Sequence, residues 1–470
     1  MLPLHPYQER AIKEAVARGR NFEAIDMGLG KTRIMIEVCK ELKKQAFVVA
    51  PYRVAMRTWP SEFEKWAPGT TWQFLHGPDK NYLYHSKRDV DYKIINYDGL
   101  KWLVSMIEKY GSNLIKGRVL ILDESSQIKN ASSVRFKMLK KILHFFPYVF
   151  NLSATPMPGG YLNLWSQYYM LDQGAALGRS MDSYQSNHFE ILKRKTYVKG
   201  QQRTFFEYSL REGYEEKIQN KVAHMTTRLD AEDYLELPDI IYEDVHCDMG
   251  PDAMFLYKHF EKNYILELGE NVIEAVSSGS RDMKLRQYTQ GSLYVDKIGN
   301  YETLHTAKID GLRSVLERAA GDPVLCPIQF KFDLAEIRKS KEIQELVGKE
   351  IPAIVGGIPV KDQTRILDAW DRGEVPLLLC HPGALSHGLN LQAGGRIICW
   401  YALTWDLEQY RQLIGRLARQ GQTRPVLVTN LTVPGTIDTR VASVLTNKDA
   451  TQNDFLLAMK NYAREVRNGL

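Results

Sequence analysis

A glycine-rich turn between an apolar run and an amphipathic stretch constrains this chain more than any other feature. Residues 26–32 read Asp-Met-Gly-Leu-Gly-Lys-Thr, after an apolar strand candidate at 22–25 and before a helix candidate at 33–43. In a strand-turn-helix context, backbone N–H groups converge on phosphate oxygens and the helix N-terminus adds its positive dipole end. The stretch therefore predicts a phosphate-binding loop.

The individual residues of this loop have distinct predicted roles. We expect Gly28 and Gly30 to shape the turn, while Lys31 reaches the β- and γ-phosphates of a nucleotide. The Thr32 hydroxyl would take one coordination site on Mg²⁺. The loop departs from the strict Gly-x-x-x-x-Gly-Lys-Ser/Thr spacing, because Ile25 stands where the first glycine would be.

Short apolar runs rich in Val, Ile and Leu recur along the chain, with helical patterns between them. Continuous apolar strands that alternate with helices are typical of a parallel sheet covered on both faces. The predicted strands lie at 22–25, 46–50, 93–97, 119–122 and 149–152, and then at 324–328, 353–355, 377–380, 397–400 and 426–431. Polar or glycine-containing motifs follow nearly every strand, at the edge where such sheets bind ligands. The sequence therefore predicts an α/β protein with two nucleotide-fold lobes.

The stretch between the two groups of strands has a different texture, over roughly 165–310. Charged segments of helical pattern dominate there, at 211–224, 252–268 and 271–277, and 231–241 looks like the crossover between lobes. We therefore expect helical insertions between the motifs. The predicted boundaries are 1–240 for the first lobe with an insertion at about 165–240, and 241–470 for the second lobe with an N-terminal helical segment at about 241–310 and a C-terminal helix at 453–467.

Composition sets wide limits on the partners of this chain. The 470 residues carry a formal net charge of +6, which permits a nucleic-acid partner without requiring one. A basic cluster lies in the insertion and fits either a solvated surface or a DNA-facing protrusion; it comprises Lys193, Arg194, Lys195, Lys199 and Arg203.

Cysteine usage and hydropathy bear on the compartment. The five cysteines form no Cys-x-x-Cys pair and sit mostly in apolar runs, which favours buried free thiols in a reducing cytoplasm. No run approaches the ~18 apolar residues of a membrane span, and the N-terminus lacks the pattern of a signal peptide. The expected location is the cytoplasm of a bacterium or of a phage-infected host.

Two adjacent carboxylates follow the apolar strand candidate at 119–122. Asp123 would hold Mg²⁺, directly or through water, and Glu124 would polarise the water that attacks the terminal phosphate. Adjacent acids at a strand end are often a solvated turn, but a phosphate loop lies some ninety residues upstream. The pair is therefore predicted to be catalytic.

A tetrapeptide of small and hydroxyl residues follows the next strand candidate. Residues 153–156 read Ser-Ala-Thr-Pro, and the hydroxyl groups of Ser153 and Thr155 could hydrogen-bond to the acidic motif. Such contacts would transmit the state of the nucleotide to the rest of the lobe.

Two arginines lie in the second half, within Gln-Leu-Ile-Gly-Arg-Leu-Ala-Arg-Gln-Gly-Gln at 412–422. The spacing of three predicts that Arg416 and Arg419 share one helix face. They follow the fourth strand of the second lobe and could meet the γ-phosphate held by the first lobe. An arginine supplied in this way is worth roughly 10³–10⁵ in rate, and it would make hydrolysis depend on lobe closure.

In this order the motifs resemble a superfamily-two helicase motor of the Swi/Snf-like branch, a group of double-stranded DNA translocases. The branch-specific letters lie at 4–8, 27–32, 59–66, 123–130 and 416–422. The resemblance covers nearly the whole chain, and it implies two RecA-like lobes that use ATP and Mg²⁺. The compact length is similar to that of stand-alone versions in bacteriophages and bacteria.

The resemblance also implies roles for individual positions. Gln8 would read the adenine edge, and Gln412 and Gly388 would line the nucleotide site together with Arg416 and Arg419. Coupling of the nucleotide site to DNA is implied for Ser126, Ser153, Thr155 and Asn390. Contacts with the duplex backbone are implied for Arg53, Thr58, Trp59, Asn96, Tyr97, Gln329, Gly356, Gly357 and His381.

The chain departs from the family pattern at three places. Ser126 and Ala418 stand where relatives carry His, and Leu385-Ser386 replaces a glycine pair. None of these departures removes a group predicted to bind phosphate or Mg²⁺.

The predicted function is that of an ATP-driven translocase, expected to be a monomer, that moves along duplex DNA to remodel DNA or protein-DNA complexes. Forked and junction DNA are further candidate partners. Two alternatives stay open: a helicase that separates or anneals strands, and an ATP-gated DNA-binding scaffold. Intact Lys31, Glu124, Arg416 and Arg419 argue against a scaffold with a dead site.

Overall fold

The computed structural model describes residues 3–86, 89–154, 160–198, 201–263, 265–268, 271–274, 278–385 and 390–447. The chain divides into two compact units, Met1–Glu236 and Leu237–Leu470. Each unit contains one parallel sheet with helices. This architecture confirms the predicted α/β fold with two parallel-sheet lobes.

The first unit contains a seven-stranded sheet and a separate hairpin. The strands are β1 Arg20–Ile25, β2 Ala46–Ala50, β3 Trp72–Phe74, β4 Tyr92–Asn96, β5 Val119–Asp123, β6 Tyr148–Ser153, β7 Phe189–Val198, β8 Gln201–Leu210 and β9 Thr226–Leu229. The order across the sheet is β3-β4-β2-β5-β6-β1-β9. Every pairing in it is parallel.

Helices alternate with these strands. They are α1 Pro6–Arg18, α2 Lys31–Leu42, α3 Trp59–Trp66, α4 Lys80–His85, α5 Leu100–Tyr110, α6 Val134–Ile142, α7 Leu164–Asp172, α8 Met181–His188 and α9 Tyr214–Val222. A π-helix at Val54–Thr58 leads directly into α3. The central strands β2, β4 and β5 are buried along their whole length, which explains their unbroken apolar sequence.

The second unit contains a six-stranded sheet and two small hairpins. Its strands are β10 Ile240–His246, β11 Ile265–Leu268, β12 Asn271–Glu274, β13 Ser292–Tyr294, β14 Tyr301–Thr303, β15 Val324–Pro327, β16 Ala353–Ile354, β17 Leu377–Cys380, β18 Ile397–Trp400 and β19 Val426–Thr432. The parallel order across the sheet is β10-β19-β18-β15-β17-β16.

The helices of the second unit complete the list of elements. They are α10 Pro251–Asn263, α11 Ser278–Thr289, α12 Ala307–Ala319, α13 Lys331–Lys339, α14 Lys341–Val347, α15 Val360–Asp371, α16 Pro382–Leu385, α17 Leu407–Ile414 and α18 Ile437–Leu445. The C-terminal helix predicted at 453–467 lies outside the described residues.

All ten predicted strands are present, and several features of the middle of the chain differ from the prediction. The helix expected at 271–277 is wrong where the structure describes it, because Asn271–Glu274 is a strand paired with Ile265–Leu268. The basic cluster lies on the β7–β8 hairpin rather than on a helix, except Lys199, which is outside the described residues. The hairpin pairs ten residues with ten.

The segment expected to cross between lobes is bounded by two strands that the sequence did not predict. β9 pairs with β1 and so ends the first sheet, with Ile25 opposite Leu229. β10 pairs with β19 and begins the second sheet. β9 alternates buried residues with more exposed ones, and no residue of β10 is buried, which is typical of edge strands that face solvent.

The cysteines and the helices bear on the expectations from cysteine usage and hydropathy. All five cysteines are free and buried. Among the described residues, no helix combines the length and the apolar character that crossing a bilayer would require.

Candidate active site

The predicted phosphate loop connects β1 to α2. Gly28 and Gly30 have φ values of 91° and 81°, a region that glycine adopts at little cost. A Cβ atom on Gly30 would also lie 2.6 Å from Gln8 Nε2. The turn therefore requires glycine at position 30, because a side chain there would be strained and would lack space. Helix α2 begins directly after it, with Lys31 and Thr32 as its first residues.

The Lys31 side chain folds back along the loop. Its Nζ donates hydrogen bonds to the carbonyl oxygens of Ile25 (2.6 Å) and Asp26 (3.1 Å). A lysine ammonium has three donors and no acceptor. Because it donates to two carbonyl oxygens of the turn, its charge lies inside the turn, where the sequence predicts phosphate oxygens.

Gln8 contacts the loop from helix α1. Its Nε2 donates to the Leu29 carbonyl (3.1 Å), and its Oε1 accepts from the His5 backbone N–H (3.1 Å). The side chain is buried. The residue predicted to read adenine is thus fixed against the phosphate loop.

A segment that the sequence did not assign to the site also contacts the loop. The Asp26 N–H donates to the Leu229 carbonyl (2.9 Å), and Asp26 Oδ2 accepts from the Ala231 N–H (2.9 Å). The Tyr234 ring lies 4.7 Å from that of Tyr7, next to Gln8. Arg10 Nη2 donates to the Tyr234 hydroxyl (3.0 Å). These contacts join residues about two hundred positions apart, so no local sequence pattern predicts them.

The two predicted acids lie at the carboxyl end of β5, two strands from β1. Glu124 adopts a left-handed conformation, with φ 56° and ψ 58°, which is uncommon for a residue with a side chain and often marks a functional site. The Ser126 hydroxyl donates to Glu124 Oε1 (2.9 Å). Ser126 therefore orients the Glu124 carboxylate.

Asp123 is a buried carboxylate that accepts a hydrogen bond from an indole. Trp59 Nε1 donates to Asp123 Oδ2 (2.9 Å). Burial, followed by the neighbouring charge of Glu124, raises the pKa of Asp123 to about 6, although the Trp59 bond and the Lys31 charge oppose the shift. The Lys31 charge offsets this rise only in part, and a bound cation would favour the ionised carboxylate further.

The donor set at this end of the sheet fits Mg²⁺. Carboxylate and hydroxyl oxygens are the ligands that Mg²⁺ prefers in proteins, and Asp123 and Thr32 would provide one of each. The buried position of the Asp123 carboxylate, directly before Glu124 at the end of β5, is the observation that supports this assignment.

Trp59 and Tyr97 lie in a different environment from the one predicted. The sequence analysis expected both to contact the DNA backbone, but their side chains are buried, with 0% and 3% exposure. The Tyr97 hydroxyl donates to the Asp123 carbonyl (2.9 Å). Both side chains therefore support the acidic motif instead of facing solvent, and Asn96 is buried beside them.

Of the predicted coupling residues, Ser153 lies close to both motifs. Ser153 ends β6, opposite Ala24 of β1, and is fully buried. On the other side of β6, Asp123 pairs with Leu152. Ser153 therefore lies between the strands that carry the phosphate loop and the acids; Thr155 lies outside the described residues.

The remaining DNA candidates follow strand ends in the two sheets. In the first unit, Arg53 and Thr58 follow β2 and are partly exposed. In the second unit, Gln329, His381 and Gly356 follow β15, β17 and β16, which are neighbours in the sheet, and Gly357 has a φ of 87°. Each set lies at the carboxyl edge of its own sheet.

The two arginines lie in turns rather than on a helix face. Helix α17 ends at Ile414 and is capped by Gly415, so only Gln412 is helical. Arg416 is buried, and Arg419 Nη1 donates to Asn390 Oδ1. The prediction of a shared helix face is wrong because Gly415 ends the helix; Gly388 lies outside the described residues.

Fold and site together place the chain among α/β proteins, with the predicted phosphate loop and pair of acids at one edge of a parallel sheet. Comparisons with known proteins narrow this class. The SNF2-related domain family matches residues 7–290, and the Helicase conserved C-terminal domain matches residues 307–421.

Whole-chain relatives agree with these matches. A protein named p41 of Acyrthosiphon pisum secondary endosymbiont phage 1 is 32% identical over 97% of this chain and 98% of its own length. YwqA of Bacillus subtilis (strain 168), which carries an ATP-dependent helicase/translocase name, is 23% identical over 98% of this chain and 50% of its own. The chain thus spans about half the length of that relative. The solved Sulfolobus solfataricus SWI2/SNF2 ATPase core in complex with dsDNA aligns over 99% of this chain and 97% of its own, with 20% identity and a TM-score of 0.43.

The chain belongs to the SNF2-related family of ATP-dependent helicases and translocases. It is an ATP hydrolase of the helicase type.

Proposed function

We propose that this protein is a motor that moves along double-stranded DNA at the expense of ATP. One observation carries the proposal: the nucleotide candidates and the DNA candidates of the first unit follow neighbouring strands of a single sheet. The order β4-β2-β5-β6-β1 brings Asn96, Arg53, Asp123, Ser153 and the phosphate loop to one edge. A change at the bound phosphate can then alter the nearby grip on DNA through a rigid framework.

In this proposal the first lobe, residues 1–240, binds ATP. Amides of the loop at Gly28 and Gly30 and the ammonium of Lys31 bind the phosphates, and Gln8 contacts the adenine edge. Thr32 and Asp123 would hold Mg²⁺, which when bound neutralises phosphate charge. Tyr7 and Tyr234, whose rings are 4.7 Å apart, stand beside Gln8 as additional candidates for contact with the base.

Glu124 is the proposed residue that orients and polarises the attacking water. The hydrogen bond from Ser126 holds one carboxylate oxygen, so the other is available to accept a proton from water. A carboxylate that stays in place before the reaction avoids the cost of reorganisation during it.

The second lobe, residues 241–470, is proposed to contribute Arg416 and Arg419. Their guanidinium groups would stabilise the negative charge that develops on the transferred phosphoryl group. Gln412 and Gly388 would border the nucleotide, and Asn390 would orient Arg419 through their hydrogen bond. Hydrolysis would then require both lobes, which is how turnover could be linked to movement.

The DNA contacts are proposed for the exposed or partly exposed members of the predicted set. Arg53 is the best supported: burial lowers the pKa of its guanidinium, and among the described residues its buried Nη1 has no hydrogen-bond partner. A phosphate oxygen would satisfy both the charge and the donor. The other proposed contacts are Thr58, Gln329, Gly356, Gly357 and His381, whereas Asn96 is buried and is not among them.

The β7–β8 hairpin supports strand separation as a second candidate function. The hairpin pairs ten residues on each side and carries Lys193, Arg194, Lys195 and Arg203 of the basic cluster. A long basic hairpin in contact with DNA could part the strands of a fork or guide them during annealing.

ATP turnover with different nucleic acids tests the proposal. We expect duplex and forked DNA to stimulate hydrolysis, and single-stranded DNA and RNA to stimulate it much less. Because phosphate contacts release counterions, the DNA concentration needed for half-maximal stimulation should rise steeply between about 50 and 200 mM salt. Stimulation by RNA or single strands equal to that by duplex would contradict the proposal, as would no response to duplex.

A further inference from the structure

The Trp59 indole forms a direct link to the acid proposed to hold Mg²⁺. Its Nε1 donates to Asp123 Oδ2 over 2.9 Å, and both groups are buried. Hydrogen bonds to an ionised acceptor are roughly twice as strong as neutral ones. The bond fixes one oxygen of the carboxylate, Oδ2, and with it the orientation of the group.

Packing around the indole fixes its direction. The Trp59 ring lies 5.7 Å from that of Phe63 and 6.0 Å from that of Tyr92, and it is fully buried. Close packing of this kind leaves few alternative rotamers. The donor therefore stays aimed at Asp123.

The backbone before Trp59 is specialised. Residues Val54–Thr58 form a π-helix, in which the Trp59 N–H donates to the Val54 carbonyl. Such turns are rare and frequently occur at functional sites. The wider turn changes the direction in which the next side chain projects, and here that side chain is the indole.

We infer that Trp59 is a positioning residue that orients Asp123 for Mg²⁺, rather than a residue that contacts DNA. The inference rests on the proposed assignment of Asp123 as the Mg²⁺ carboxylate. Outer-shell partners of metal ligands commonly change metal affinity by about 10–100-fold when they are removed. Trp59 is expected to act within that range.

The test uses two equivalent substitutions on helix α3. Trp59→Phe removes the indole donor and keeps an aromatic ring. Trp66→Phe makes the same change in a residue whose Nε1 donates to Glu62 Oε2 (2.8 Å) instead. Binding of a fluorescent ATP analogue is measured against Mg²⁺ concentration without DNA, alongside the thermal melting of each variant.

We expect Trp59→Phe to require roughly ten times more Mg²⁺ or more for half-maximal binding, with unchanged binding of the analogue in EDTA. Trp66→Phe should follow the wild-type curve. Equal Mg²⁺ dependence for a folded Trp59→Phe variant and the wild type would overturn the inference.

A second variant covers the case in which Trp59→Phe does not fold. Phe63→Leu keeps the indole and loosens the packing around it, and should raise the Mg²⁺ requirement by a smaller factor. An unchanged requirement in that variant would also contradict the inference. Since DNA is absent throughout, either result leaves the proposal of duplex-stimulated turnover to its own test.

Discussion

Lys31→Ala and Glu124→Gln should each stop productive ATP turnover, for different reasons. Lys31→Ala removes the ammonium that the phosphate loop holds within 3.1 Å of two carbonyl oxygens, so ATP binding should weaken. A hydrogen bond to a charged group contributes about 1.5–3 kcal/mol, which corresponds to roughly 10–150-fold in affinity. Equilibrium binding of ATP measures this loss.

Glu124→Gln should preserve binding and abolish chemistry. Glutamine keeps the size of the side chain and can still accept the hydrogen bond from Ser126, but it cannot take a proton from water. General-base catalysis contributes about 10²–10⁴-fold, and the turnover rate should fall by that factor. The variant should therefore bind ATP and DNA without hydrolysis.

Two surface variants serve as matched controls. Lys40 lies on the same helix as Lys31, and Lys40→Ala breaks an exposed pair with Glu37 (2.7 Å) and a long hydrogen bond to the Trp66 carbonyl (3.5 Å). Glu108→Gln breaks an exposed pair with Lys141 (3.0 Å). Exposed ion pairs contribute little to the free energy of folding, so both control variants should hydrolyse ATP at the normal rate. If Lys31→Ala or Glu124→Gln matched its control, the site assignment would be wrong.

The second large effect is expected at the arginines of the second unit. Arg416→Ala and Arg419→Ala should reduce turnover with little change in ATP affinity, because the charge they offset develops during phosphoryl transfer. An arginine in this role is worth roughly 10³–10⁵-fold, or about 4–7 kcal/mol of activation free energy. Single-turnover rates at saturating ATP measure the loss.

Arg411→Ala is the control for this pair. Arg411 lies on α17 just before them, is exposed, and donates to the Asn447 carbonyl (3.1 Å). Arg416→Lys gives a further comparison, because lysine keeps the charge and loses the planar fork of donors. Normal turnover in both Arg416→Ala and Arg419→Ala would show that the phosphoryl group is stabilised without them.

The parts of the fold that sequence could predict are those with local signals. Strands such as Ala46–Ala50 are continuous apolar runs because both faces of a parallel sheet are covered. The phosphate loop and the Asp123–Glu124 pair were predictable because their chemistry requires particular residues at fixed spacing. Both lie at strand ends, as expected.

The parts that sequence could not predict depend on distant contacts or on backbone geometry. Thr226–Leu229 pairs with β1 although it is about two hundred residues away. The end of α17 at Ile414 depends on a glycine that many helices tolerate. Trp59 matched a family motif, but its burial and its bond to Asp123 join residues 64 positions apart.

Displacement of a triplex-forming strand tests the central claim of movement along duplex DNA most directly. Wild-type protein with ATP should displace a third strand from a duplex at low salt. It should not separate the two strands of a forked duplex that carries no third strand. Glu124→Gln should do neither, although it binds DNA. Unwinding of the fork without displacement of the triplex strand would contradict translocation and would favour strand separation at the β7–β8 hairpin.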